Sequence, residues 1–123
     1  MANPNIVNVT SILGNSLSVA VLTTATQLAS NAASSGKVFK INSIVIANID
    51  GTSAADVTVN IYSAAALGGT ASAIASTISV PADASLIVTD KTTAFYLLED
   101  RSIGAIAGTA GDLVATISFE EIT

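Results

Sequence analysis

Two pairs of adjacent carboxylates, Glu99-Asp100 and Glu120-Glu121, are the first residues in this chain whose type suggests chemistry. Paired acids can serve as the proton donor and nucleophile of glycoside cleavage when both reach one substrate. Neighbours on a strand point to opposite faces, so neither pair is arranged to share a substrate. Each reads as solvated, one at a polar corner and one near the end of the chain. Nucleophilic attack by a hydroxyl needs a base beside it. Serine and threonine abound here, but the sequence holds no histidine and only three lysines, Lys37, Lys40 and Lys91, with Arg101 as the fourth cation. These hydroxyls read as strand and turn residues.

Asn48, Asp50 and Asp56 around Gly51 form a fragment of an oxygen-ligand loop. Calcium takes six to eight oxygens, so two carboxylates and an amide are a thin set, and a hairpin turn at Asp50-Gly51 accounts for them. The glycines at 104, 108 and 111 have the spacing of a loose phosphate loop. No lysine follows them and no helix opens there, so anion binding has no basis. Lys37 and Lys40 make no basic stripe and read as single salt bridges or edge charges. The chain therefore offers no catalytic residue, no cofactor-binding residue and no metal ligand, and it reads as a protein without a cofactor and not an enzyme.

The elements carrying these residues are strands. Half the residues are hydrophobic but only 4% are aromatic. The apolar content is alanine, valine, isoleucine and leucine, with serine and threonine between, and branched side chains favour a pleated sheet. Residues 6–13 are a candidate first strand broken by Gly14-Asn15, and Leu17, Val19 and Val21 mark a second. Residues 26–30 suggest a short third. Residues 37–49 alternate at first and then become apolar on both faces at Ile44-Val45-Ile46, as in a strand that enters a covered centre through a bulge. Val57, Val59 and Ile61 alternate cleanly. Residues 63–73 are rich in alanine and glycine and read as a loop, with one helical turn over Ala64–Leu67 ended by Gly68-Gly69. Further strands are expected at 74–80, 85–89, 94–98, 103–106 and 113–119, separated by turns at Pro81, Asp90 and Gly108.

Eight to ten short strands predict an all-β fold, an antiparallel β-sandwich that is jelly-roll-like. The expected division is an N-terminal arm or first strand over 1–15 and a single sandwich domain over 16–123. Core candidates are Ile44, Ile46, Val57, Val59, Ile61, Ile78, Leu86, Val88, Leu97, Val114 and Ile117.

Composition narrows the function. Charged residues are 11% of the chain and the net charge is −5, where ordinary soluble domains carry about 25% charged residues. The acidic balance repels phosphate, so neither nucleic acid nor an anionic membrane is an expected partner. No apolar run approaches the roughly 20 residues of a membrane span, and residues 1–5 do not read as a secretory signal. With no cysteine the chain is indifferent to redox compartment. A surface this poor in charge loses little on desolvation and suits coverage by other protein. Open edge strands could extend a sheet across subunits, and the 1–15 arm could reach a neighbour and become ordered there.

From Lys37 to Thr52 (KVFKINSIVIANIDGT), and on through residues 55–59, 78–86, 96–100 and 117–122, the sequence resembles small β-rich virion structural proteins of tailed bacteriophages, notably those of marine and cyanobacterial phages. The resemblance covers residues 30–123. It implies a capsid decoration (cement) protein that stabilises the assembled head, located on the virion after assembly in the host cytoplasm. The partners it implies are the major capsid protein or other virion proteins, with a homo-oligomer, a trimer favoured. The alternatives are a tail, neck or fibre-associated module, or a carbohydrate- or cell-surface-binding sandwich.

Overall fold

The computed structural model describes residues 4–123. They form nine strands: β1 (Ile12–Ala20), β2 (Thr26–Asn31), β3 (Val38–Asn48), β4 (Ala55–Ala64), β5 (Gly68–Val80), β6 (Ser85–Thr89), β7 (Phe95–Leu97), β8 (Arg101–Ala107) and β9 (Leu113–Ile122). One 3-10 turn, Lys91–Thr93, stands between β6 and β7. No α-helix occurs among the described residues.

The first sheet runs β1-β9-β3-β6, with β7 continuing along β3 where β6 leaves off; the second runs β2-β8-β4-β5. All pairings are antiparallel. The sheets pack face to face as a jelly-roll-like sandwich, with β2 over β9 and β5 over β3 and β6. The β1 and β2 edges therefore share one side of the sandwich, and the β5 and β6 edges share the other.

The alternation of β3 builds the centre. Phe39, Ile41, Ile44 and Ile46 all face inward and are buried. They do not share one parity because β3 carries an extra residue, Asn42, where its register against β9 jumps from Ile41 to Ser43. The bulge expected from sequence is there, and it turns Ile44 and Ile46 onto the core face. Beside them in the same sheet lie Ala115 and Ile117 of β9, and across the core lie Val57 and Val59 of β4 and Ile103 and Ala105 of β8. Phe39 and Phe119 stack with ring centroids 5.1 Å apart.

Five of the eleven core candidates differ from expectation. Ile78 is 39% exposed, because β5 is the edge of the second sheet. Val114 lies on the outer face while its neighbours Leu113 and Ala115 point inward and are buried. Ile61, Leu86 and Val88 are partly buried and pack on the rim of the core. Two expected elements are also redrawn. Residues 6–11 are not a strand, and β1 instead runs straight through Gly14-Asn15, paired from Ile12 with Ile122 to Ala20 with Val114. The 15/16 boundary expected from sequence falls inside this strand.

The Ala64–Leu67 helical turn is a tight hairpin between β4 and β5 instead. Ala66 and Leu67 both have positive φ, 56° and 61°, which costs an L-residue roughly 1–2 kcal/mol. Three consecutive N–H groups fix it: Ala65 donates to Asp100 Oδ1 (3.0 Å), Ala66 to Ser30 Oγ (2.9 Å) and Leu67 to Ser102 Oγ (2.8 Å). The Leu67 side chain lies over Gly104, where an added Cβ would sit 2.8 Å from Leu67 Cδ2.

Two buried amides lock the sheets together. Asn48, the last residue of β3, donates from Nδ2 to the carbonyls of Ser53 and of Val80 on the opposite sheet, both at 2.9 Å, and accepts from the N–H of Asp50. Asn31, the last residue of β2, donates to the carbonyls of Lys37 (2.9 Å) and of Leu97 on the opposite sheet (3.2 Å), and accepts from Ser35 Oγ.

Two outcomes are expected from these contacts. Asn48→Ala strands two carbonyls and an N–H, and urea unfolding should show a loss of about 1–3 kcal/mol. Asn48→Asp should cost more, since a carboxylate oxygen would then face two carbonyls. Ala66→Gly should instead raise stability by about 0.5–1 kcal/mol, because the residue is exposed and glycine adopts its backbone conformation without strain.

Candidate functional site

None of the residue sets that could do chemistry comes together as a reactive centre. Glu99 is buried at its corner rather than solvated, and Asp100 is occupied by the β4–β5 hairpin. Glu120 and Glu121 do point to opposite faces of β9. Glu120 accepts from Asn42 Nδ2 at 3.0 Å on the outer face. On the inner face Glu121 binds Lys37 Nζ at 3.1 Å and also accepts from the Asn15 amide. Asn48 turns its amide into the sandwich, so it is lost to any ligand loop with Asp50 and Asp56. Among the described residues no group of three or more histidine, cysteine or acidic side chains could hold a metal ion. The Gly108 N–H is used by the Asp56 carbonyl at 2.8 Å.

The turn aspartates act locally. Asp50 Oδ1 accepts from the Thr52 N–H (2.9 Å) and hydroxyl (2.8 Å), and these bonds, the N–H first, hold its carboxyl below the usual range. Asp90 does the same with Thr92, the hydroxyl bond leading. It thereby caps the 3-10 turn, and the Thr93 hydroxyl answers its own N–H.

What the geometry presents instead is edge. Every residue of β1 except Val19 is exposed, on both faces of the strand. The first sheet runs one strand beyond its cover, because β2 lies over β9 and leaves β1 overhanging. Leu13 and Leu17, which pair with Glu121 and Ile117 and so face inward, are 56% and 45% exposed for want of a strand above them. On the other side β5 is exposed along most of its thirteen residues. Neither β1 (ILGNSLSVA) nor β5 (GGTASAIASTISV) contains a charged residue or a proline. Natural edge strands are usually protected by those residues. Composition carried a signal for this, since low charge is concentrated where the sheets are open.

The segment before β1 lies against the same sheet. Asn5 and Asn8 close a turn, and Thr10 donates from both N–H and hydroxyl to the Thr123 carbonyl. Pro4 and Ile6 line a small apolar hollow with Val38, Tyr96 and Leu98, while Val7 is 84% exposed. Residues 1–3 of the expected arm lie outside the described residues.

Carboxylates held below their ordinary value favour the fold while ionised. Their contribution is complete above about pH 4 and is lost as pH falls through the lowered folded value. Denaturant midpoints measured from about pH 6 down to about pH 2 should fall less steeply for an Asp50→Asn, Asp90→Asn double variant than for the native chain.

No protein-family model and no curated protein matches the sequence. Among solved structures the chain is similar to one from Bacillus endospore appendages, described as a novel family of disulfide-linked pili. The TM-score is 0.53 at 17% identity, over 92% of this chain and 88% of that one. The likeness is one of fold: two antiparallel sheets packed as a sandwich.

Proposed function

We propose that this protein is a non-enzymatic structural subunit that assembles with copies of itself, edge to edge, into an ordered fibre-like array. The observation that carries the reading is the pair of long, charge-free, exposed edge strands, β1 and β5, on opposite sides of one sandwich. A free edge offers a row of unpaired N–H and C=O groups to another strand. When the surface that donates differs from the surface that accepts, contact is head to tail and generates a ring or a filament. The overhang of β1 adds apolar area, Leu13 and Leu17, for a neighbour to cover.

The fold shared with an appendage pilus chain supports a fibre or appendage module over a shell component. That chain belongs to disulfide-linked pili, whereas this sequence has no cysteine. Cohesion here rests on strand pairing and apolar burial, so it resists reducing agents.

A capsid-decoration role is the second reading and rests on the resemblance of residues 30–123 to phage virion proteins. Its physics is mass action: binding the assembled lattice and not the loosened one stabilises the lattice. Its partner would be the major capsid protein, with a trimer as the working unit on the virion.

Electron microscopy and size-exclusion chromatography of the concentrated protein separate the readings. Ordered assemblies that persist in reductant are expected. Leu17→Lys, a charge placed on the exposed edge, should keep the protein dispersed while changing stability by no more than about 0.5 kcal/mol. A chain that stays monomeric at high concentration overturns the self-assembly reading, and a discrete trimer that decorates empty capsids favours the second.

A further inference from the structure

A cleft of about 640 Å³ lies on the outer face of the first sheet, across β9 and β3. Two irregularities at the same level create it. The chain leaves the sheet over residues 90–94, between β6 and β7, and β3 carries its extra residue, Asn42, directly beside that excursion. The walls are Asp90 and Lys91 on one side and Ser118 and Glu120 on the other, with Lys40 and Asn42 in the floor. Tyr96 pairs with Lys40 across β7 and β3, but it lines the apolar hollow with Pro4 and Ile6 and not this cleft.

The charges in this cleft are not satisfied by one another. Lys40 sits directly opposite Glu120 in the β3–β9 register, yet Glu120 gives one oxygen to Asn42. The chain has four cations. Lys37 is paired with Glu121, and Arg101 donates to the carbonyls of Ser63 and Asp100. The other two, Lys40 and Lys91, both line this cleft and form no ion pair among the described residues. Asp90 gives only Oδ1 to Thr92.

The cleft thus presents free ammonium donors, an amide and free carboxylate acceptors around a concave space. Its size is that of an ordinary small-ligand site. Two ammoniums against two carboxylates leave it without net charge, so a phosphate gains nothing on entry. An apolar ligand would strand the polar walls. A sugar hydroxyl both donates and accepts, which matches acceptors and donors set side by side. We propose that this cleft binds a neutral saccharide. The site goes beyond the assembly role and does not depend on it.

The labelled protein is applied to a printed array of neutral and acidic oligosaccharides, and the strongest binder is then titrated calorimetrically. Neutral glycans should be retained. Glu120→Gln, Lys40→Gln and Lys91→Gln should each raise the dissociation constant about tenfold. Asp56→Asn, at the other end of the sandwich, should bind as the native chain does. Urea midpoints of the variants identify any that is misfolded, and the remaining variants then carry the comparison. A blank array, retention of acidic glycans alone, or affinity indifferent to all three cleft substitutions overturns the assignment.

Discussion

Two asparagine side chains hold the sandwich in register, one at each end. A core of valine, isoleucine, leucine and alanine is cohesive but non-directional, and among the described residues one aromatic pair, Phe39 with Phe119, adds shape to it. Such layers could slide over one another at little cost. Asn48 and Asn31 prevent this because each terminates a strand of one sheet and donates to a backbone carbonyl of the other. A buried amide must find its partners or lose their full desolvation cost, so the sheets have one mutual placement that satisfies both. Everything outside the core inherits that placement, including the β1 overhang and the position of the outer-face cleft.

With the layers fixed, polarity is shed to the turns. Asp50 and Asp90 each hold a threonine two residues on, and Asp100, Ser30 and Ser102 hold three N–H groups of the β4–β5 hairpin. The rims are therefore rigid, hydrogen-bonded corners. The long edges are left bare, carrying backbone groups and uncharged side chains, small ones mixed with exposed leucine and isoleucine. A subunit built this way is closed at its ends and open at its sides.

Much of this was legible in the sequence, and the parts that were not have physical causes. β3, β4 and β9 announced themselves because apolar and polar residues alternate there, β6 because its apolar run is bounded by turns at Pro81 and Asp90, and the bulge in β3 showed as the change from alternating to doubly apolar at Ile44. β1 was misplaced because Gly14-Asn15 is ordinary turn chemistry; pairing with β9 overrides that preference. The start of β5 was hidden by alanine and glycine, whose low strand propensity is outweighed by a hairpin that the rest of the chain pins down. Ile78 looked central since alternation reports a face and not a sheet position. The part Asn31 and Asn48 play in joining the sheets left no local signal, because the partners across the sandwich, Leu97 and Val80, are remote in sequence. The cleft was equally invisible: Lys40, Lys91 and Glu120 meet only once β3, the 90–94 excursion and β9 are side by side.

β5 carries a further implication. Its ladder against β4 slips register three times, and Thr77 sits at a positive φ of 50° in its midst. A cross-β spine requires flat, identical segments stacked in register, and a margin this buckled cannot supply them. Along β5 the fold therefore separates two outcomes that bare edges usually confound. A partner whose contour matches the buckles can dock, while runaway polymerisation into amyloid is frustrated by the backbone itself, without a single gatekeeping charge.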